Sequence, residues 1–432
     1  MTIRNFAKFN SKVYAFADTK VITSDGTAIS GLTKHDWCDF AELFSKLFVT
    51  PGKENDMWVI EGTTARLTTA KTSASAIVKA DCCVNHRGLL FVGNLREVDG
   101  DHVARIRWSK TGEPENFTPW GAGNYQSFQD VGDLNEPIIR LISFQNDLYI
   151  FKQNSIWLAS GIASDQVGPE TLRNINSTYG LVGPNAITQD ERMIKFLSIG
   201  AIVAIQGAYN FKQIYQGMYQ NLDWRDRSLW GSISITQDIA NDRFLMLLPR
   251  YNLQNEECYV KGQGDQWTAW KWRRDMSVVK YLPGEKQPHF GDYWNGVYTF
   301  DSTKRADFVT NESIDPVFDT SHYDLGGRSN SIRSLQLVTR SEGDYNLTVD
   351  VYHDLNLSPH ETLTRELNSE DAITDEAVTD VDSTANFDNY IPHFLDLDGN
   401  AKKIRLKISA TGLYNRFKIH EIKLGYIPRG GI

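Results

Sequence analysis

The sequence predicts an all-β protein, a β-propeller of about six to eight blades followed by a C-terminal β-sandwich. Three observations predict it. Helical periodicity is nearly absent, and short apolar runs bounded by turn residues take its place. A strand–turn–strand unit recurs through roughly the first three hundred residues. Aromatic residues reach 12%, with 11 Trp and 18 Tyr, beside 32 Gly, a composition suited to strands joined by turns.

The clearest unit runs from Leu141 to Trp157. There Asn146-Asp147 and Gln153-Asn154-Ser155 supply turns between three apolar strands. Looser versions lie at 6–22, 40–60, 82–92 with Arg105–Trp108, 187–211, 233–272 and 278–300. The stretch Asp39–Phe48 has some i, i+3, i+4 spacing but reads equally well as a strand. About seven units at a spacing of roughly 30–55 residues fit propeller blades. One such sheet cannot bury both faces alone, whereas sheets packed around an axis bury each other's. A pair of β-sandwiches is the alternative use of the same strands.

Composition changes after residue 300. The polar stretch at 303–307 and Gly326-Gly-Arg-Ser-Asn-Ser331 mark a boundary. The expected division is a propeller over 1–305, a linker over 306–331 and a sandwich over 332–432. In the last, Ser334–Thr339, Leu347–Tyr352, Ile404–Ile408 and Phe417–Leu424 alternate apolar and polar residues, as strands with one buried face do. Between them a long acidic loop is expected near 357–390, carrying Asp371, Asp375, Glu376, Asp380 and Asp382.

Hydrophobic residues at 41% and charged residues at 23% allow a sizeable core. The net charge of −9 argues against a broad grip on phosphates, which takes clustered Lys and Arg. An acidic wall is still compatible with DNA sliding past. Four scattered cysteines, Cys38, Cys82, Cys83 and Cys258, are no disulfide framework. The N-terminus carries no apolar signal core, and no apolar run is long enough for a membrane span. Synthesis and folding in a reducing cytoplasm are expected.

Chemistry-bearing residues are scattered. His35 with Cys38, and Cys82-Cys83 with His86, offer two half-sites for zinc. Vicinal Cys82 and Cys83 point to opposite faces of a strand, however, so buried thiols are the simpler reading. Glycosidase chemistry needs two carboxylates across a sugar. Asp130, Asp133, Glu136, Asp190, Glu191, Asp223 and Asp292 are candidates, but none sits in a selecting motif, and solvated turn residues are the bland alternative. G-x-S-x-G, Walker and H-E-x-x-H motifs are missing, and Gly262-Gln-Gly264 reads as a turn. Lys271-Trp-Arg-Arg274 and Arg105-Ile-Arg-Trp-Ser-Lys110 combine cations with aromatics, a pattern for stacking bases or for a solvated strand face. Trp267, Trp270 and Trp272 suit a sugar platform or packing between blades. The expectation is therefore no catalytic residue, no metal and no cofactor.

The stretch Arg105-Ile-Arg-Trp-Ser-Lys-Thr-Gly-Glu-Pro-Glu-Asn-Phe117 resembles the R-x-R-W-S-x-x-G-x-P-x-x-F turn of β-propeller proteins in tailed phages. Ile138–Trp157 resembles their next blade, and Gln266-Trp-Thr-Ala-Trp-Lys-Trp272 a late blade ending. Ala401–Ile408 and Arg416–Tyr426 resemble their C-terminal strand pair. The matches keep their order from Cys82 to Tyr426, and the family is the tail hub, or nozzle, of short-tailed bacteriophages. Many members carry an Asp in the turn where this chain has Lys110 and Thr111, although Gly112 and Pro114 still shape it. The resemblance implies a virion structural protein rather than an enzyme. It implies a ring of subunits, usually six, below the portal and adaptor proteins, passing double-stranded DNA and carrying tail fibres, spikes or a needle. The alternatives are a propeller glycosidase and a glycan-binding adhesin, both acting on the host surface.

Overall fold

The computed structural model describes residues 2–69, 78–118, 128–162, 169, 171–207, 210–214, 231–248, 255–261, 267–285, 287–299, 317–320, 323–325, 330–341, 345–354, 356–367, 391–410 and 417–427. The described residues form an all-β protein of many small antiparallel sheets. The chain divides into two compact units, 1–267 with 272–300, and 268–271 with 301–432.

In the first unit the strands follow the chain. The first sheet is β1 (Ile3–Phe9), β2 (Lys12–Ala17), β3 (Lys20–Thr23) and β4 (Gly26–Ile29). The second is β5 (Asp39–Leu43), β6 (Lys46–Thr50), β7 (Trp58–Glu61) and β8 (Thr64–Leu67). The third is β9 (Lys79–His86), β10 (Leu89–Glu97), β11 (Gly100–Trp108) and β12 (Phe128–Asp130). The fourth is β13 (Ile138–Phe144), β14 (Asp147–Lys152), β15 (Ile156–Ser160) and β16 (Thr171–Asn176). The fifth is β17 (Ile187–Gln189), β18 (Ile194–Ser198), β19 (Ala201–Gln206) and β20 (Asn210–Ile214). A six-stranded sheet follows, of β21 (Ser234–Asp238), β22 (Arg243–Leu247), β23 (Asn255–Lys261), β24 (Trp267–Lys280), β25 (His289–Asp292) and β26 (Val297–Thr299). In every one, strands neighbouring in sequence are neighbours in space.

Tight hairpins set this order. Phe9 faces Lys12, Leu43 faces Lys46 and His86 faces Leu89, so two residues make each first turn. Both turn residues have positive φ: Asn10 and Ser11 at 49° and 61°, Phe44 and Ser45 at 51° and 56°, Arg87 and Gly88 at 51° and 78°. That geometry matches the right-handed twist of the paired strands. Phe44 adopts it as an exposed aromatic residue, so no asparagine or glycine signals that hairpin in sequence. Asp39–Phe48, whose spacing was partly helical, is this hairpin.

Packing between sheets supplies the core. Phe16 and Val21 bury against Leu47 and Val49, joining the first two sheets. Ala41 and Phe48 bury against Leu90 and Val92, and Phe91 and Ile106 against Leu148 and Ile150. One large cluster then runs from Phe151 through Phe196 and Ile202 to Phe244 and Met246. The last cluster joins the ends of the unit: Ile3 and Phe6 of β1 bury with Val278 of β24 and Leu282 just beyond it. Ser277 Oγ reinforces this junction by donating to the Ile3 carbonyl.

The second unit holds β27 (Val317–Asp319), β28 (Tyr323–Asp324), β29 (Asn330–Ser341), β30 (Tyr345–His353), β31 (Glu361–Leu367), β32 (Ile391–Asp396), β33 (Asn400–Ala401), β34 (Lys403–Ala410) and β35 (Phe417–Ile427). One sheet has the order β27-β34-β30-β31, with β28 also on β34. The other pairs β32, β33 and β35 with β29. Alternate residues Leu335 and Leu337, Leu347, Val349 and Val351, and Ile404, Leu406 and Ile408 fill one core shared by both sheets. Two sequence expectations are corrected here. The expected linker 306–331 contributes β27 and β28, because their pairing with β34 satisfies their backbone groups. The expected acidic loop begins with a strand, since β31 pairs along β30. Its acidic residues from Asp371 to Asp382 lie outside the described residues.

Gly291 of β25 sits where a Cβ would lie 2.4 Å from Ile3 Cγ2. Gly291→Ala is expected to push β1 away from the end of the unit and destabilise the protein by about 1–3 kcal/mol, measured by urea unfolding. An unchanged midpoint would show that β1 does not depend on this contact.

Candidate functional site

The first strands of successive sheets touch one another: β1 meets β5, β5 meets β9, β9 meets β13, and β1 also meets β25. Polar residues within these apolar strands therefore converge. Asn5 of β1 donates from Nδ2 to the Cys38 carbonyl at 2.6 Å, and its Oδ1 accepts Lys280 Nζ at 2.8 Å. Asp39, which opens β5, is buried. Its Oδ1 accepts the Phe40 N–H at 3.0 Å and its Oδ2 the Cys83 N–H at 3.4 Å. Arg140 of β13 pairs with Asp39 at 3.3 Å and donates to the Pro184 carbonyl at 2.9 Å. The guanidinium lies over the Trp37 ring, 4.7 Å from its centroid. Asn185 donates from Nδ2 to the Arg4 carbonyl at 2.8 Å, tying the approach to β17 back to β1.

This polar seam is electrostatically tense. Lys280 keeps some accessible surface but is densely surrounded, and burial lowers its pKa to about 7, with the Arg140 cation pushing the same way. Asp39 opposes both effects. Burial raises the Cys38 and Cys83 thiols well above their ordinary value, and the Asp39 carboxylate adds to it. Sequence reasoning passed over Asn5, Asp39, Arg140 and Lys280. The available signal was a single polar residue recurring inside equivalent apolar strands, as in Ile138-Ile-Arg140-Leu-Ile142 and Val278-Val-Lys280.

The two zinc half-sites do not come together. His35 Nδ1 lies 2.9 Å from the Trp37 carbonyl, and its Nε2 is 3.5 Å from Asp81. His86 faces Ser143 Oγ at 2.9 Å, and burial lowers its pKa to about 4. Cys82 and Cys83 enter different cores on opposite faces of β9, as strand geometry requires, and Cys38 enters a third. All four cysteines are free and buried. Among the described residues, the ligand atoms that cluster are instead those of Glu97, Asp99 and His102, within 4.8 Å of one another. Glu97 there already pairs with Arg105 and Arg107.

The glycosidase carboxylates hold turns. Asp133 Oδ1 accepts the Asn135 N–H, while the Val131 and Asp133 carbonyls hold the fully buried Lys152 ammonium at 2.6 and 2.7 Å. Glu136 accepts from the Asn154 N–H and Ser155 Oγ. Asp190 accepts the Arg192 and Met193 N–H groups. Asp292 accepts from Trp294 N, Gly296 N and Tyr298 Oη. Asp130 pairs with Arg105, Glu191 is exposed, and Asp223 lies outside the described residues.

The arginines of the Arg105–Lys110 segment also have partners. Arg105 and Arg107 both bind Glu97 and both cover the Phe128 ring. The backbone of Lys110 pairs with that of Glu113 in an isolated β-bridge that starts the turn. Glu115 fastens this turn to the second sheet, accepting Arg66 Nη2 at 2.7 Å, Arg66 Nη1 at 3.0 Å and the Thr69 N–H at 2.6 Å. Burial pushes its carboxyl up, but the hydrogen bonds from Arg66 and Thr69 prevail and hold it at about 2. The turn and Thr69 border an open cavity of about 500 Å³. Lys271–Arg274 and the tryptophans at 267, 270 and 272 lie on β24, with side chains outside the described residues.

No family model and no curated protein matches the sequence. Among solved structures, the fold is similar to the extracellular domain of the putative one component system BT4673 from B. thetaiotaomicron. The match has 11% identity and a TM-score of 0.45, over 77% of this chain and 41% of that one. It is also similar to PorZ, a surface component of the type-IX secretion system of Porphyromonas gingivalis, at 9% identity and a TM-score of 0.38. That match covers 69% of this chain and 38% of PorZ. The chain thus spans less than half the length of either structure. The likeness concerns fold alone.

Two pH effects follow. Glu115 has its folded pKa depressed from 4.5 to about 2, so its stabilisation is complete above pH 4.5 and is lost as pH falls through about 2. Glu115→Gln is expected to cost about 1 kcal/mol at pH 7, allowing for solvent screening, and to flatten acid unfolding in that window. Lys280 has its folded pKa depressed from 10.5 to about 7, so the unfolded chain holds the extra proton between these values and stability rises with pH there. The stability of the wild type relative to Lys280→Met is expected to climb from pH 7 to pH 10 in urea titrations.

Proposed function

We propose that the chain is a virion structural protein of a tailed phage, a tail hub or nozzle built on a β-propeller with a C-terminal β-sandwich. The core junction of β1 with β24 supports the propeller, since a series of sheets that meets its own beginning buries both faces of each sheet. The observation that carries the functional reading is the Arg105–Phe117 turn. Its residues serve architecture: Arg105 and Arg107 clamp Glu97, and Glu115 binds the neighbouring sheet. Arg105, Arg107 and Glu115 belong to the stretch of the phage resemblance, and they act in fastening strands and sheets rather than in presenting reactive groups. Glu136, Asp190 and Asp292, carboxylates of a glycosidase reading, are engaged likewise in turns.

In this role about six copies form a ring beneath the portal and adaptor proteins. The ring passes double-stranded DNA without sequence-specific contact and carries tail fibres, spikes or a needle. The net charge of −9 suits a conduit that does not retain the genome. The chain is then made in the host cytoplasm and resides in the virion tail. Among the described residues no helix is long and apolar enough to cross a membrane.

Light scattering on the purified 49.0 kDa chain, together with cryo-electron microscopy of virions, tests this reading. A ring of about six subunits located in the tail is expected. A chain that stays monomeric at high concentration and is absent from virions overturns it. Turnover of capsule or lipopolysaccharide would assign a glycosidase instead, and binding on a glycan array would assign an adhesin.

A further inference from the structure

The polar seam of the first unit has more donors than acceptors. Arg140 uses its two terminal nitrogens on Pro184 and Asp39, while its buried Nε has no acceptor among the described residues. Trp37, only 5% exposed and stacked under the same guanidinium, has a buried Nε1 that also lacks one among the described residues. Lys280 donates one of its three protons to Asn5 Oδ1. Leaving buried donors without acceptors costs about 1–3 kcal/mol each, so a folded protein fills such places.

We propose that this seam binds a small oxyanion, a carboxylate or phosphate group, held by Arg140, Lys280 and Trp37. Charge favours an anion. Two cations, Arg140 and Lys280, stand against one carboxylate, Asp39, among the groups that act on Lys280. Asp39 is already engaged by two backbone N–H groups and by Arg140, which leaves room for a second acceptor. Chemistry disfavours a metal cation at the same place. The nearby Cys38 and Cys83 thiols are held protonated by burial, and the other charged group that acts on Lys280 besides Asp39 is the Arg140 cation. A planar guanidinium edge, an indole N–H and an ammonium are donors suited to oxyanion geometry. The inference stands on these residues alone and is independent of the assembly in which the chain works.

The test is thermal unfolding and titration calorimetry with sodium phosphate and with sodium acetate, at constant ionic strength set with sodium chloride. A saturable rise in Tm and a measurable heat of binding are expected for at least one of the two anions. The tighter one identifies the group. Affinity is expected to fall as pH rises from 7 to 9, as Lys280 loses its proton. Lys280→Gln keeps a donor for Asn5 but removes the charge, and is expected to weaken binding about tenfold or more. Trp37→Phe keeps the ring beneath Arg140 and removes the N–H, so it provides a second weakened variant should Lys280→Gln fail to fold. Equal, non-saturating shifts in wild type and variants would mean a general salt effect and would overturn the proposal. So would the absence of any heat with both anions.

Discussion

A four-stranded sheet with two apolar faces cannot stand alone in water, and the first unit is organised around that constraint. Each core cluster straddles consecutive sheets. The last straddles the end and the beginning through Ile3, Phe6, Val278 and Leu282. The junction involves residues nearly as far apart in sequence as the unit allows, so the outer faces of the first and last sheets remain unburied until it forms. Folding of this unit is therefore dominated by non-local contacts, which are slow to form because loop-closure entropy comes first.

The polar seam is a consequence of the same arrangement. Because first strands lie side by side, a polar residue in one finds its partners on neighbouring first strands, on β24 and on the segments that lead into these strands. Asn5 reaches Cys38 and Lys280, and Asp39 reaches Cys83 and Arg140. Such groups specify register, since a one-residue slip would put the carboxylate into an apolar core. They also strain the site: burial and Arg140 both disfavour the charged form of Lys280, and Asn5 and Asp39 offset this only in part.

Elsewhere in the first unit, carboxylates that might have been catalytic hold turns. Asp133, Glu136, Asp190 and Asp292 accept backbone or side-chain hydrogens within a few residues or from one adjacent strand. Their short side chains compete well for local N–H groups, which is why such residues abound in turns. Glu115 differs in reaching across to Arg66 and Thr69 of the preceding sheet, so the turn of the phage resemblance doubles as a brace between sheets.

By itself the sequence determined the all-β class and most strands, because alternation and turn residues are local signals. The unit at Leu141–Trp157 and the alternating strands of the second unit, Leu347–Tyr352 and Ile404–Ile408, are strands where local pattern placed them. It also determined that Cys82 and Cys83 part company, since successive residues of a strand face opposite ways. The tertiary structure decided what depends on distant partners. It made strands of β27 and β28 in a stretch with no strong pattern, because β34 offered them a partner. It set Phe44 in a left-handed turn, which strand twist imposes and residue type does not announce. And it assembled Asn5, Asp39, Arg140 and Lys280, unremarkable singly, because packing sheet against sheet brings together strands that are far apart in the chain.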